Sequence, residues 1–386
     1  MVFFIFFVPQ TVLASIDIQR QFTEALEYLD KSPERSVEIL EQLSKETDSI
    51  RVKLELARAL YFNGQLHASR DVFLLIIESL PENTPSQVYE NIESFLSSIN
   101  KRLNPFRVSI SFLRDSNPAL STEAQVIELF GLKFQYNPPE PVREEFGVKV
   151  NLDFQLRPST NTELIGYVSH TQFESSDNSR SFLTPEFRFQ ISEKRKVWSR
   201  LGIEQEYQNG LLLRNGYFLG IRKISYLNSI QSQMLTDFRI VKNEYPDFNM
   251  VNGNTYEFSN FAFYRHNSSL RFQLNIGAEH TDAQLDHFRY KTLIFGYGFT
   301  MSNLPMRFET TITQTHRYRH YSAEDPFFAI RREDSELSQN LTIRRRGFYV
   351  FGVSPSINIV RDERSSNIPI AEYSRVQINL VGEKIF

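Results

Sequence analysis

The sequence predicts a two-part chain: a short α-helical array, then a membrane-spanning antiparallel β-barrel of roughly 14 strands. Three observations carry this. Apolar residues recur at helical spacing over residues 15–102, then at every second position from about Asn104 to Phe386. No stretch reaches the ~20 consecutive apolar residues that a helix needs to cross a bilayer. Phe and Tyr number 34 and 17 in 386 residues, yet the hydrophobic share stays at 41%. A barrel whose strands turn one face to lipid and the other to water reconciles the two.

The first element is a candidate signal peptide, Met1 to Ala14. Val2 to Val8 is an apolar run with four Phe, and Val12-Leu13-Ala14 ends on a small residue where a signal peptidase cuts. No Lys or Arg precedes the run.

Helices follow. Phe22, Leu26 and Leu29 form one stripe, and Val37, Leu40 and Leu43 a second. Ser32 before Pro33 reads as a hydroxyl cap with proline at the first helical position. A third helix carries Val52, Leu56, Ala57 and Leu60. Gly64 marks the turn, a fourth carries Ala68, Val72, Phe73 and Ile76, and Pro81 ends it. This second pair resembles a tetratricopeptide repeat: Leu56-Ala57 at the close-packing position, Leu60 one turn on, then Gly64, Ser69, Phe73, Ile76 and Pro81. Ser36, Leu40 and Leu43 echo Ser69, Phe73 and Ile76 about 33 residues earlier. Ser86 to Lys101 is the last helix. The resemblance implies a periplasmic domain over residues 15–102 that offers a concave face to a partner; the plainer reading is a helical spacer.

After Pro105 the period becomes two. Val148, Val150, Leu152, Phe154 and Leu156 alternate with Lys149, Asn151, Asp153, Gln155 and Arg157. Leu270 to Glu279, Phe187 to Ser192 and Arg375 to Leu380 do the same. Strands are expected to start near Phe106, Phe146, Glu163, Phe182, Val197, Leu212, Gln231, Tyr256, Leu270, Tyr290, Met306, Glu336, Tyr349 and Tyr373. A single alternating strand also fits a soluble sheet. The even number, the regular spacing and the full charges on the polar face point to an outer-membrane barrel with a wet lumen. Tyr207, Tyr217, Tyr256, Tyr264, Tyr297 and Tyr318 are candidates for the aromatic girdles. Asp115 to Glu144 breaks the rhythm and is expected to be a long extracellular loop or a plug. Phe386, an aromatic closing an amphipathic strand, is a candidate signal to the barrel assembly machinery.

The formal net charge of −3 argues against nucleic acid as a partner. With no cysteine, no disulfide framework or thiolate site is available. His280 and Asp282, with His287 close by, are the nearest approach to an acid–base pair, and an ordinary solvated loop is the stronger reading of them. No nucleophile elbow, metal-binding helix or phosphate-binding Gly loop is present. Arg344-Arg345-Arg346 reads as a strand end facing water or lipid phosphates. The chain is expected to have no enzymatic activity, cofactor or metal.

Asn104-Pro105-Phe106, then Ser109 to Phe112, then Asp115-Ser116-Asn117 is similar to the barrel opening of the surface lipoprotein assembly modulator (Slam) family. There an Asp-Ser-Asn tripeptide ends the first strand. Tyr373-Ser374-Arg375-Val376 to Phe386 also fits, and the order of helices, junction and barrel matches across the chain. The resemblance implies an outer-membrane translocon that takes lipoproteins or related secreted proteins to the cell surface, its repeat domain in the periplasm. The implied partners are such a client, outer-membrane lipids and the assembly machinery. An exopolysaccharide export porin with a periplasmic repeat domain stays open as the alternative. A passive porin and an enzyme rank below it.

Overall fold

The computed structural model describes residues 10–80, 84–103, 105–129, 131–139, 141–159, 161–192, 194–227, 232–267 and 269–385. Residues 1–9 of the expected signal peptide, Pro81 and Phe386 lie outside them. Two compact units emerge, Met1–Pro105 and Phe106–Phe386.

The first unit is α1 (Gln10–Tyr28), α2 (Pro33–Glu46), α3 (Ile50–Phe62), α4 (Leu66–Ser79) and α5 (Ser86–Leu103). Residues 10–14, the end of the expected signal peptide, begin α1. The apolar stripes make two clusters. Phe22, Ala25, Leu29, Val37, Leu40 and Leu43 pack with Val52, Leu56, Ala59 and Leu60. Ala57, Phe73, Ile76, Ile92 and Ile99 form the second. Ser36 and Ser69 are both fully buried. Each hydroxyl donates to an alanine carbonyl of the preceding helix, Ser36 to Ala25 at 2.8 Å and Ser69 to Ala57 at 2.7 Å. A small hydroxyl thus lets each helix pair approach closely without leaving a buried polar atom unpaired. Gly64 turns the chain from α3 to α4 at φ 78°, the left-handed region where a side chain is strained. Pro33 does begin α2, but the Ser32 hydroxyl makes no capping hydrogen bond. With ψ at 71° its backbone lies outside the extended geometry that aims a cap side chain at the first turn.

The second unit contains β1 (Phe106–Asp115), β2 (Val126–Leu129), β3 (Leu132–Gln135), β4 (Glu145–Ser159), β5 (Thr162–Phe173), β6 (Arg180–Ser192), β7 (Val197–Gln208) and β8 (Leu211–Leu227). It continues with β9 (Ser232–Glu244), β10 (Gly253–Arg265), β11 (Leu270–Ala283), β12 (Tyr290–Leu304), β13 (Phe308–Glu324), β14 (Arg331–Arg345), β15 (Ser354–Ser366) and β16 (Tyr373–Ile385). Apart from the β2–β3 hairpin, these form one closed barrel of 14 strands. Each strand pairs antiparallel with its neighbour along the chain, and β1 closes on β16 from Arg107↔Ile385 to Asp115↔Gln377. Closure leaves no unpaired sheet edge, as lipid requires. No described helix is long and apolar enough to cross a membrane.

The alternation decides which side chains meet lipid. Phe146, Val148, Val150, Phe187, Phe189, Leu219, Ile221, Leu274, Ile276, Leu293 and Phe295 are exposed on the outside. Among the tyrosines expected in girdles, Tyr256 and Tyr264 stand outward near the two ends of β10. Tyr217, Tyr297 and Tyr318 are outward but lie within their strand bodies. Two strand starts differ from the expectation by five residues, the others by three or fewer. β14 begins at Arg331, because charged residues at the rim still alternate between two wet sides. β15 begins at Ser354, because Gly347, Phe351 and Gly352 take positive φ in the preceding turn.

Candidate functional site

The Asp-Ser-Asn tripeptide sits where the barrel closes. β1 alternates Ser109, Ser111, Leu113 and Asp115 inward, and Asp115 is fully buried. Its Oδ1 accepts from the Asn117 amide at 3.0 Å and its Oδ2 from Gln377 Nε2 on β16 at 3.0 Å. Arg375 lies 3.8 Å away. Ser116 bonds β16 twice: its amide donates to the Val376 carbonyl at 3.0 Å, and its hydroxyl accepts the Val376 amide at 2.8 Å. Asn117, 1% exposed, donates to the carbonyls of Ser121 (2.8 Å) and Ser374 (3.1 Å) and accepts the Ser121 amide (2.9 Å). Thr122 extends the link by donating to the Pro369 carbonyl at 2.8 Å. The tripeptide therefore ends β1 and fastens that end to β16 and to the turn before it.

Residues 116–144 then leave the seam as the β2–β3 hairpin, turned at Gly131 with φ 79°. The hairpin pairs with no barrel strand among the described residues, and all four residues of β3 are exposed. Its start is anchored by Asn117 and Thr122. Its end is held by the Arg114–Glu144 pair at 2.6 Å, which keeps the Glu144 carboxyl below the usual range.

The lumen wall is a lattice of arginines and carboxylates. Glu163 meets Arg157 at 3.0 Å and Arg188 at 3.8 Å, and Arg188 meets Glu186 at 2.5 Å. Glu186 takes Arg200 through two bonds, at 2.6 and 2.7 Å. Arg200 and Arg222 converge on Asp237, while Arg239 bridges Glu204 and Glu257. Arg200–Asp237 and Arg239–Glu204 both span from β7 to β9 across β8, and glycines on β8 leave the gap. Gly220 stands beside Arg200 and Arg239 in the register, and Gly216 beside Glu204. Phe218 lies between these glycines, with the Arg200 and Arg239 guanidiniums 5.7 and 5.6 Å from its ring centre. Its ring rests on Gly202, where a Cβ would come within 2.5 Å of it. A second group joins Glu309 to Arg271 and Arg344, and a third joins Glu336 to Arg317, Arg319 and Arg364. The wall is thus strongly polar, with each carboxylate shared by arginines of neighbouring strands. Sequence reading predicts a charged lumen but misses these partnerships, which span up to 38 positions and depend on which strand lies between.

The acid–base candidates do not assemble. His280 and Asp282 belong to β11, not to a loop, and both point away from the lumen beside Tyr256 and Asn254. His280 stacks on Tyr256 at 6.1 Å, and Asp282 pairs with Arg289 at 2.9 Å. His287 packs on Phe288 in the following turn. Arg344 faces the lumen on Glu309, while Arg345 donates to the Met306 carbonyl. No group of metal-ligating side chains occurs among the described residues.

Comparison with known proteins meets this geometry at the barrel. Residues 219–386 match the sequence profile of the surface lipoprotein assembly modifier family. That is the family the sequence resembles. A surface lipoprotein assembly modifier of Pasteurella multocida (strain Pm70) is 23% identical over 393 residues, covering 91% of this chain and 73% of its own length. Among solved structures, a bacterial polysaccharide outer membrane secretin superposes with a TM-score of 0.41 and 6% identity, over 73% of this chain and 99% of its own. OccK3 (OpdO) of Pseudomonas aeruginosa gives 0.40 and 9%, over 73% and 95%. The chain is an outer-membrane β-barrel protein: its sheet is closed, its outer face is apolar, and the family match covers the barrel's second part.

Proposed function

We propose that this chain is an outer-membrane translocon that delivers lipoproteins, or related secreted proteins, to the cell surface. The family match over residues 219–386 carries the reading. Residues 15–102 act in the periplasm as a tetratricopeptide-like domain that receives the client, after removal of a signal peptide over residues 1–14. The barrel occupies residues 104–386. The strand turns at the end where β1 begins, such as 305–307, are shorter than the 116–144 segment at the other end. Outer-membrane barrels keep short turns in the periplasm and long loops outside, so Asp115, Ser116 and Asn117 lie at the outer end. The lattice of paired arginines and carboxylates offers a polypeptide of mixed charge a polar wall. Direction comes from the client folding outside. The assembly machinery inserts the barrel into the membrane.

The test is surface exposure. The full chain is expressed in a laboratory Gram-negative host with a lipoprotein encoded beside it, and intact cells are treated with external protease. Cleavage of the lipoprotein only when the chain is present supports the proposal, and weaker cleavage on deleting residues 15–102 supports the receiving role. A lipoprotein that stays protected beside a well-inserted barrel overturns it.

A further inference from the structure

The turn from β14 to β15, residues 346–353, exposes four large side chains in a row: Phe348, Tyr349, Val350 and Phe351, the last 96% exposed. Val350 and Val353 exchange both backbone hydrogen bonds, at 2.9 and 3.0 Å, so Phe351 and Gly352 make a two-residue hairpin turn. Both take positive φ, 52° and 75°. Asparagine or glycine suits the first position of such a turn, where a Cβ is disfavoured. A phenylalanine therefore stands at the tip in a conformation that suits it badly, and almost none of it is covered by protein. The neighbouring turn repeats the combination, with Met306 at φ 60° and 68% exposed. Arg346 N donates to the Arg307 carbonyl at 2.9 Å and ties the two turns together.

The base of this turn lies on the membrane side of the barrel. Gly382 on β16 has the outward parity of Leu380, and a Cβ built on it would come within 2.9 Å of the Val353 side chain. A Cβ on Gly352 would stand 4.0 Å from Cε of Lys384, the next outward residue of β16. Toward the middle of the barrel, Ile357 and Leu380 stand level and exposed on the outer face. The apolar tip thus continues the lipid-facing band past its last strand residues, to the level where rings meet lipid headgroups. Cations flank it: Lys384, and Arg345, outward at the end of β14 with its guanidinium 5.4 Å from the Phe348 ring centre. The nearby carboxylates, Glu309 and Glu383, have lumen parity. Exposed rings bordered by cations fit a phospholipid surface, the rings among the upper acyl chains and the cations at the phosphates. We propose that residues 348–351, with Arg345 and Lys384, form an anchor that inserts into the phospholipid leaflet at this end of the barrel and binds its anionic headgroups. On the orientation proposed above this is the periplasmic leaflet. The anchor itself rests only on the placement of the barrel in the membrane, whichever end faces out.

The test uses the full chain folded into vesicles of phosphatidylcholine and phosphatidylglycerol. Trp198→Phe removes the single tryptophan, and Phe351→Trp sets one at the tip. The introduced indole is expected to be quenched by lipids brominated in their upper acyl chains and protected from aqueous iodide. Tyr349→Trp in the same background gives a second reading of depth that leaves the turn's own residues unchanged. Raising the phosphatidylglycerol fraction is expected to strengthen the lipid quenching. Lys384→Gln is expected to lower the inserted fraction relative to the free one by about fivefold, the effect of one cation near an anionic surface. Resistance to cold SDS checks that each barrel is folded. In folded barrels, indoles open to iodide at both positions overturn the proposal. So do indoles shielded from both quenchers, since protein then covers the turn. Lipid quenching that ignores both phosphatidylglycerol and Lys384→Gln overturns the headgroup binding.

Discussion

Replacing Asn117 with alanine isolates the link between the barrel's first and last strands. The side chain is 1% exposed and makes three hydrogen bonds, to the Ser121 and Ser374 carbonyls and from the Ser121 amide. Alanine removes all three and leaves the backbone groups at 121 and 374 facing a site closed to water. At about 1 kcal/mol net per bond, with part of the desolvation penalty added, the loss is about 3–4 kcal/mol. That corresponds to a shift of a few hundredfold in the folding equilibrium. The assay is urea unfolding in lipid vesicles, followed through the single tryptophan, Trp198, on β7, four strands from β1. Amide exchange at Val376 gives the local signal. Ser116→Ala is the internal comparison, since its side chain makes one bond to β16 and its cost is about 1 kcal/mol. If Asn117→Ala unfolds within about 0.5 kcal/mol of the parent, a surface-like effect, or if Ser116→Ala is the more damaging change, the assignment of the seam to Asn117 is wrong.

Gly202→Ala sets a methyl within 2.5 Å of both the Phe218 ring and the Pro185 carbonyl. The ring can swing but the carbonyl cannot, so a cost of about 1–3 kcal/mol is expected in the same urea assay. Ser69→Leu overpacks a fully buried crossing between α3 and α4, whereas Ser69→Ala loses one bond. The helical circular-dichroism signal of the full chain is expected to melt far earlier for leucine than for alanine, whose cost is about 1 kcal/mol. The Arg114–Glu144 pair holds the Glu144 carboxyl below its ordinary value of 4.5, so its contribution is present above that pH and fades as pH falls through the lowered value. Proteolysis of the 116–144 segment is therefore expected to be flat from pH 8 to about 5, rising only in stronger acid; a rise that begins near pH 6 contradicts this pairing.

The barrel is legible in the sequence because alternation is local: Val148 to Arg157 announces a strand with one wet face without reference to any partner. The helices are legible for the same reason, and Gly64 falls at the turn its sequence position suggests. What escapes depends on other strands. Arg200 and Asp237 look like two unrelated charges until the register sets Gly220 beside Arg200 and leaves room across β8. His280 reads in isolation as part of a solvated loop, yet Ala278 and Ile276 share its parity and face outward, so the alternation itself places it. The β2–β3 hairpin is hidden because Val126-Ile127 and Leu132-Lys133-Phe134 are too short to show a period. Tyr349-Val350-Phe351 imitates a strand start, though the chain there coils through positive φ and makes only an isolated bridge.

The seam joins residues that the chain separates almost completely, Asp115 to Gln377 and Ser116 to Val376. A ring whose two fastening halves sit at opposite ends of one domain has no stable intermediate arc. Until β16 is delivered, β1 presents an open edge, and every strand added in between prolongs that exposure. Closure is thus a late and non-local event, of the kind that folds slowly. The chain must reach the bilayer with its edges shielded, and a truncation that removes β16 leaves no smaller barrel, only an unsealed sheet.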